Sequence, residues 1–141
     1  MKIVVDSNII FSALISGKET YLDIVRINDV YIPDIILSEL NQYETRIISK
    51  AKLKQADFRL FIRMFFEKVI VIPKFAISAE SWLEAYRICN DVDEKDTPFI
   101  ALSLEFKIPL WTGDKKLIDG IRKKGFDDFV TTEELLEGIP R

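Results

Sequence analysis

Short apolar runs of strand length alternate along this chain with longer segments in which apolar residues recur every three or four positions. This alternation is typical of an α/β domain with a mainly parallel sheet. We therefore expect a central sheet of about five strands, formed by residues 2–5, 30–32, 69–72, 109–111 and 129–130.

The segments between these runs have helical periodicity. Helices are predicted over residues 7–15, 20–27, 34–49, 78–89, 97–106 and 115–124. One apolar helix face is predicted from Ile35, Leu40, Tyr43, Ile47 and Ile48, and a second, expected to form core or an oligomer seam, from Phe58, Phe61, Ile62, Phe65 and Phe66. Near the C-terminus, Thr131 and Glu134 have the spacing of a capping box that opens a last short helix.

The composition supports a globular protein and adds an expectation about its compartment. The chain has 141 residues, and its 48% hydrophobic and 30% charged residues predict a single compact domain over residues 1–141. Cys89 is the sole cysteine. A chain with one cysteine has no intrachain disulfide, which favours a reducing, cytoplasmic location. The sequence has neither a signal peptide's apolar stretch nor an apolar run of membrane-spanning length, so we expect no membrane insertion.

The absence of histidine removes several kinds of active site. Histidine-dependent triads, histidine acid–base catalysis and histidine-ligated zinc are excluded within this chain. The five glycines do not form a dinucleotide or phosphate loop motif. Carboxylates remain abundant, with 23 acidic against 20 basic residues and a net charge of −3. The chain is therefore suited to a site in which acidic side chains hold a divalent cation.

Four carboxylates are expected to meet at one edge of the sheet. Asp6 and Asp114 follow the first and fourth predicted strands, and parallel strands open their ligand-binding crevice at the carboxyl ends. Glu39 lies early in the helix after the second strand, and Asp96 precedes a helix that contains Pro98 near its start. Each one alone has a simpler interpretation as a helix cap or a solvated residue. Together they form a candidate Mg²⁺ or Mn²⁺ site.

Four segments carry a resemblance that covers essentially the whole chain. They are Val-Val-Asp-Ser-Asn at 4–8, Leu-Ser-Glu-Leu at 37–40, Asp-Glu-Lys-Asp-Thr-Pro-Phe-Ile-Ala-Leu at 93–102 and Leu-Trp-Thr-Gly-Asp-Lys-Lys-Leu at 110–117. In order and spacing they resemble the PIN-domain family. The resemblance implies a three-layer α/β/α fold and an acidic pocket that binds Mg²⁺ or Mn²⁺ for RNA hydrolysis. Many small members look like VapC-type toxins, which are commonly homodimers inhibited by a small antitoxin protein.

The resemblance also assigns roles by position. Asp6, Glu39, Asp96 and Asp114 match the family's acidic metal-site positions, and Asn8 and Thr112 match its polar supports. Many toxin members have an acid where this chain has Lys116, so the match does not imply a second metal there. Lys115 and Lys116 are candidates for contact with substrate phosphate. Asp93 and Glu94 are either an additional acid or solvated residues at a helix start.

The prediction is therefore a divalent-metal-dependent endoribonuclease, the toxin of a VapBC-type pair. Two alternatives remain open: a PIN-like module that binds RNA or protein without turnover, and an RNA-processing or decay nuclease that is not a toxin. RNA would contact a minority of this acidic surface. Two basic groups are candidates, each also interpretable as a solvated face: Arg46, Lys50, Lys52, Lys54, Arg59 and Arg63, and Lys115, Lys116, Arg122, Lys123 and Lys124.

Overall fold

The computed structural model describes residues 1–140 and contains a five-stranded sheet in which every pairing is parallel. The strands are β1 (Lys2–Val5), β2 (Asp29–Pro33), β3 (Ile70–Ile72), β4 (Leu110–Trp111) and β5 (Phe129–Val130), in the order β3-β2-β1-β4-β5. The chain order reverses between β1 and β4. In open parallel sheets this reversal opens a crevice at the carboxyl ends of the strands.

Helices connect successive strands, as parallel pairing requires. They are α1 (Ser7–Ser16), α2 (Glu19–Ile27), α3 (Ile35–Lys50), α4 (Gln55–Phe66), α5 (Ala79–Cys89), α6 (Thr97–Phe106), α7 (Lys115–Arg122) and α8 (Thr132–Glu137). The α/β fold with a parallel sheet is thus confirmed, and the predicted bounds agree within two residues. The capping box at Thr131 is also present. Two short 3₁₀ turns, Lys74–Ala76 and Glu94–Asp96, had no signal in the periodicity.

One predicted helix face was wrong in part. Ile35 and Ile48 are 42% and 55% exposed, whereas Ile36 and Ile47 are buried. The stripe that packs toward the core passes through positions 36, 40, 43 and 47, which follow the helical repeat, and Ile35 and Ile48 lie beside it. For the phenylalanine-rich face, predicted as core or an oligomer seam, the structure shows core: Phe58, Phe61 and Phe65 of α4 are buried within this chain.

The two central strands fix the position of the sheet edge that carries the acidic residues. Ile3, Val4, Val5, Leu110 and Trp111 are fully buried, because helices cover both faces of the sheet. Just beyond the last residue of β1, the Asp6 backbone N–H donates to the Trp111 carbonyl at 3.0 Å. The carboxyl ends of β1 and β4 are therefore held side by side.

A helix that spans a bilayer needs about 20 predominantly apolar residues. Among residues 1–140, no helix is long and apolar enough to span a membrane.

Candidate active site

Asp6 is the first residue after β1 and occupies the N-cap position of α1, yet its side chain does not cap that helix. The carboxylate is completely buried. Its Oδ2 accepts a hydrogen bond of 2.9 Å from the Thr112 hydroxyl, and its Oδ1 has no hydrogen-bond partner. A buried carboxylate oxygen without a donor is costly, so the fold tolerates this group at the expense of stability.

Asp96 repeats this situation at the start of α6. It ends the second 3₁₀ turn, is only 5% exposed, and makes no side-chain cap hydrogen bond. Its Oδ2 is likewise buried without a partner. Pro98 stands in the first turn of α6, where its missing N–H costs nothing. Two carboxylates from distant parts of the chain thus share the same unusual feature.

The electrostatic environment shows that these acidic groups are neighbours. Burial, followed by the negative charges of Asp6, Asp93, Asp114 and Glu39, raises the pKa of Asp96 to about 8. A group with this pKa is largely protonated at neutral pH unless a cation stabilises its ionised form.

Burial also raises the pKa of Asp6, while the hydrogen bond from Thr112 lowers it and the charge of Asp114 adds to the rise. The backbone amides of Asn8 and Ser7 lower the same pKa. Because the opposing groups do not cancel the effect of burial, Asp6 also favours its protonated form more than an ordinary aspartate does.

Glu39 lies on α3, near the acidic pair of Asp6 and Asp96. It is the fifth residue of α3 and is half-buried. Burial raises its pKa first, the charge of Asp6 raises it further, and Lys95 lowers it. The charges of both the acidic pair and Lys95 therefore act on the Glu39 side chain.

Asp114 differs from the other acids because it has an ordinary structural role. Its Oδ1 accepts the Leu117 backbone N–H at 3.1 Å and caps α7. Its own backbone N–H donates to Thr112 Oγ1 at 3.2 Å. Thr112 therefore joins the two strand ends, donating to Asp6 and accepting from Asp114. The charge of Asp114 still reaches the pair, since it contributes to the raised pKa values of both Asp6 and Asp96.

The remaining predicted residues are more peripheral. The Asn8 side chain is exposed, and its backbone amide is the group that acts on Asp6. Lys115 and Lys116 are exposed in the first turn of α7. The Asp93 carboxylate accepts the Lys95 backbone N–H at 3.1 Å, which supports the helix-start interpretation of this residue.

The carboxylate oxygens at this centre are suitable ligands for a hard cation, although they are not arranged as a complete metal site. Within residues 1–140, no three His, Cys, Asp or Glu side chains stand close enough together to hold a metal ion. The fit rests on Asp6 Oδ1 and Asp96 Oδ2, two buried oxygens that lack donors. Mg²⁺ and Mn²⁺ use one or two carboxylates and retain several waters, so a pair of such oxygens is a suitable starting point for a site.

The acidic centre opens into a groove of about 690 Å³ between α1 and α3. Glu39 and Asp96 line one part, and Phe11, Tyr43 and Arg46 line another. Tyr43, predicted on the apolar face of α3, packs against the core and also lines this groove, as does Phe11, for which no role was predicted. The available signal was spacing: Tyr43 is four residues after Glu39 and so lies on the same face of α3, one turn further along.

The second basic group is partly neutralised by neighbouring acids. Arg122 pairs with Asp127 at 2.6 Å, and Lys124 pairs with Asp91 at 2.8 Å. In the first group, Arg46 lines the groove, and its guanidinium lies 5.8 Å from the centre of the Tyr43 ring. Arg46 is therefore the basic candidate with a direct connection to the acidic centre.

Comparison with known proteins agrees with this architecture. The crystal structure of VapBC2 from Rickettsia felis bound to a DNA fragment from their promoter contains a chain with the same fold, with a TM-score of 0.57 and 19% sequence identity. The match covers 93% of this chain and 97% of that one. No curated protein matches the sequence. A family model for the PIN domain matches residues 4–136, nearly the full length. The chain belongs to the PIN-domain family, which is a family of nucleases.

Proposed function

We propose that this protein is a divalent-metal-dependent endoribonuclease and the toxin of a VapBC-type toxin–antitoxin pair. The observation that carries the catalytic part is the pair of buried, unpartnered oxygens on Asp6 and Asp96. Evolution of a stable fold alone gives no reason to keep two such groups together, because each costs stability. A nuclease that binds a cation between them has such a reason.

Asp6 and Asp96 would hold Mg²⁺ or Mn²⁺ most directly, with Asp114 contributing through the oxygen that does not cap α7. The bound ion would lower the pKa of a water molecule and neutralise charge on the phosphoryl oxygens. Thr112 donates to Asp6 Oδ2 and so leaves Oδ1 as the oxygen that would serve as a ligand. Glu39, whose pKa is raised, would orient the attacking water and accept its proton. Water would add to phosphorus as the bond to the leaving oxygen breaks, and that oxygen would take up a proton from Glu39 or from solvent.

The toxin assignment rests on a different kind of support. One structure with the same fold is that of VapBC2 from Rickettsia felis. The sequence resemblance points the same way, because many small members of the family look like VapC-type toxins. A small antitoxin protein and a second copy of the chain are the partners we expect for such a toxin.

The catalytic part is tested with purified protein and labelled, unstructured RNA. We expect internal cleavage with Mg²⁺ or Mn²⁺, none with EDTA, and recovery when metal is restored. Asp6→Asn should abolish cleavage while the circular dichroism spectrum is retained. Asp29→Asn is the matched control, since Asp29 is exposed at the opposite end of a neighbouring strand. Metal-induced thermal stabilisation without cleavage of diverse RNAs would instead favour a binding module.

The toxin part is tested by expression in a bacterial host. We expect growth arrest with the native chain and normal growth with Asp6→Asn at the same protein level. Growth that continues during expression of a protein active in the purified assay would indicate a processing or decay nuclease.

A further inference from the structure

The groove beside the acidic centre has an aromatic part that the catalytic proposal does not use. Phe11 of α1 and Tyr43 of α3 meet edge to face, with ring centroids 5.7 Å apart and planes at 74°. Both side chains are half-buried and line the groove. They belong to the two helices that also carry the acidic residues, because Asp6 precedes α1 and Glu39 is one turn before Tyr43 on α3.

We propose that this aromatic pair binds an unstacked nucleobase of the RNA strand, next to the phosphate that is cleaved. The inference rests on the proposed function. It deepens that function by making single-stranded RNA the substrate, with one flanking base as a determinant of efficiency.

The first argument is continuity. Glu39, Asp96, Phe11 and Tyr43 line one concavity, so a strand whose phosphate lies at the acids can place a neighbouring nucleotide in the aromatic part. A base held there must leave its stack, which single-stranded RNA allows at low cost. Every base has a π-face, and stacking on an aromatic side chain contributes about 1–3 kcal/mol per base.

The second argument is charge. The overall net charge of −3 and the acidic centre both repel RNA. The groove is lined by four acids, Glu39, Asp93, Glu94 and Asp96, and by two cations, Lys95 near Glu39 and Arg46 over the Tyr43 ring. A guanidinium beside an aromatic platform can contact both the base plane and a backbone phosphate. Arg46 thus gives the aromatic part of the groove a cation that can attract the phosphate of a nucleotide held there.

The test is a double-mutant cycle between ring and base. One unstructured oligoribonucleotide with a mapped cleavage site is compared with versions in which either flanking nucleotide is abasic. In the native protein, we expect one abasic position to lower kcat/KM about tenfold, the equivalent of losing one stacked base. In Phe11→Leu and Tyr43→Leu, the intact RNA should lose about the same factor, and the abasic change should have no further effect.

The controls separate stacking from a merely structural role. Tyr43→Phe keeps the ring and should retain the native response to the abasic RNA. Phe75→Leu removes an aromatic ring that is 91% exposed and is not among the groove residues, and it should change neither rate nor base dependence. If Phe11→Leu and Tyr43→Leu lower the rate while keeping the full abasic penalty, the rings act only through packing and the inference is overturned.

A binding measurement distinguishes failure of this inference from failure of the proposed function. 2-Aminopurine is placed at the flanking position and its fluorescence is followed with the Asp6→Asn protein. Quenching that is lost in Asp6→Asn/Tyr43→Leu supports the base site even if no RNA is ever cleaved. Cleavage with no quenching and no abasic penalty overturns the base site and leaves the nuclease proposal intact. If the groove binds a protein segment instead of a base, we expect this same outcome: cleavage without quenching and without an abasic penalty.

Discussion

The junction between β1 and α1 resembles the junction between β4 and α7 in its local sequence and backbone. The two junctions differ in whether the aspartate caps the helix that follows. In each, an aspartate follows a fully buried strand end and stands at the N-cap position of a helix. Asp114 caps its helix through Leu117, whereas Asp6 leaves Oδ1 unpartnered and does not cap. An aspartate at a helix start is therefore informative about function mainly when its side chain does not cap the helix.

The largest expected effect separates the two aspartates by activity. We expect Asp6→Asn to lower kcat/KM roughly a thousandfold, because a metal-site interaction is worth several kcal/mol. We expect Asp114→Asn to lower it by a smaller factor, since one oxygen of Asp114 is already occupied by the cap. Single-turnover cleavage of one RNA by both variants measures the difference. Equal losses would show that the capped carboxylate is engaged as strongly as the unpartnered one.

The second effect concerns pH and the buried acids. The pKa of Asp96 is about 8 in the folded protein, against an ordinary value of 3.8. Since the folded state binds the proton more tightly, this contribution to stability is fully present below pH 3.8 and is lost as pH rises through about 8. The pKa values of Asp6 and Glu39 are raised in the same direction. In EDTA we expect the free energy of unfolding to fall by a few kcal/mol between pH 4 and pH 9, at about 1.4 kcal/mol per pKa unit.

Urea denaturation across this range measures the effect. Asp96→Asn should flatten the dependence, because the amide does not titrate. Mn²⁺ should stabilise the native protein more at pH 8 than at pH 5, since cations bind the ionised carboxylates. A native protein as stable in EDTA at pH 9 as at pH 5 would contradict the assignment of these raised pKa values.

The third effect tests the hydroxyl that joins the two junctions. Thr112→Val removes the donor to Asp6 Oδ2 and the acceptor for the Asp114 backbone N–H. We expect a loss of about 1–3 kcal/mol in unfolding free energy at pH 8 and a shift of the pH–rate profile to higher pH, because the pKa of Asp6 rises further. Thr112→Ser should restore both. A stability loss with an unchanged pH profile would limit Thr112 to packing.

The smallest effect isolates the cap. Asparagine caps helices about as well as aspartate, whereas alanine does not. Asp114→Ala should therefore be less stable than Asp114→Asn by about 1 kcal/mol, a difference visible in thermal denaturation. In a Thr112→Val background, which removes the hydrogen bond to position 6, replacing Asp6 by asparagine and alanine should show no such cap-dependent difference at the start of α1. A comparable difference there would mean that Asp6 caps its helix after all.

Much of the fold could be predicted because burial on both faces leaves a strong local pattern. The runs at 2–5 and 110–111 consist almost entirely of apolar residues, since central parallel strands are covered by helices on each side. The 3₁₀ turn at Glu94–Asp96 could not be predicted, because three residues are too few to show a period. Ile35 and Ile48 were assigned to the wrong face because α3 has apolar residues on two adjacent stripes.

The candidate site divides in a similar way. The positions of Asp6, Glu39, Asp96 and Asp114 at element ends followed from the order of strands and helices. Which of them caps a helix did not, because the same residue type at the same local position gave both outcomes. The position of Phe11 and Tyr43 in the groove could not be predicted for a related reason. An aromatic residue on an amphipathic helix has the same spacing whether its ring packs in the core or lines a groove.

The sequence by itself determined the alternation of strands and helices, the absence of histidine chemistry and the family to which the acidic motifs point, because these depend on residue type and near-neighbour spacing. Only the tertiary structure decided that Asp6 Oδ1 and Asp96 Oδ2 are buried without donors, that Thr112 links two strand ends, and that an aromatic groove adjoins the acids. The physical reason is that desolvation and hydrogen-bond satisfaction depend on which distant segments cover a side chain. That arrangement is set by packing across the sheet and is absent from any local window of the chain.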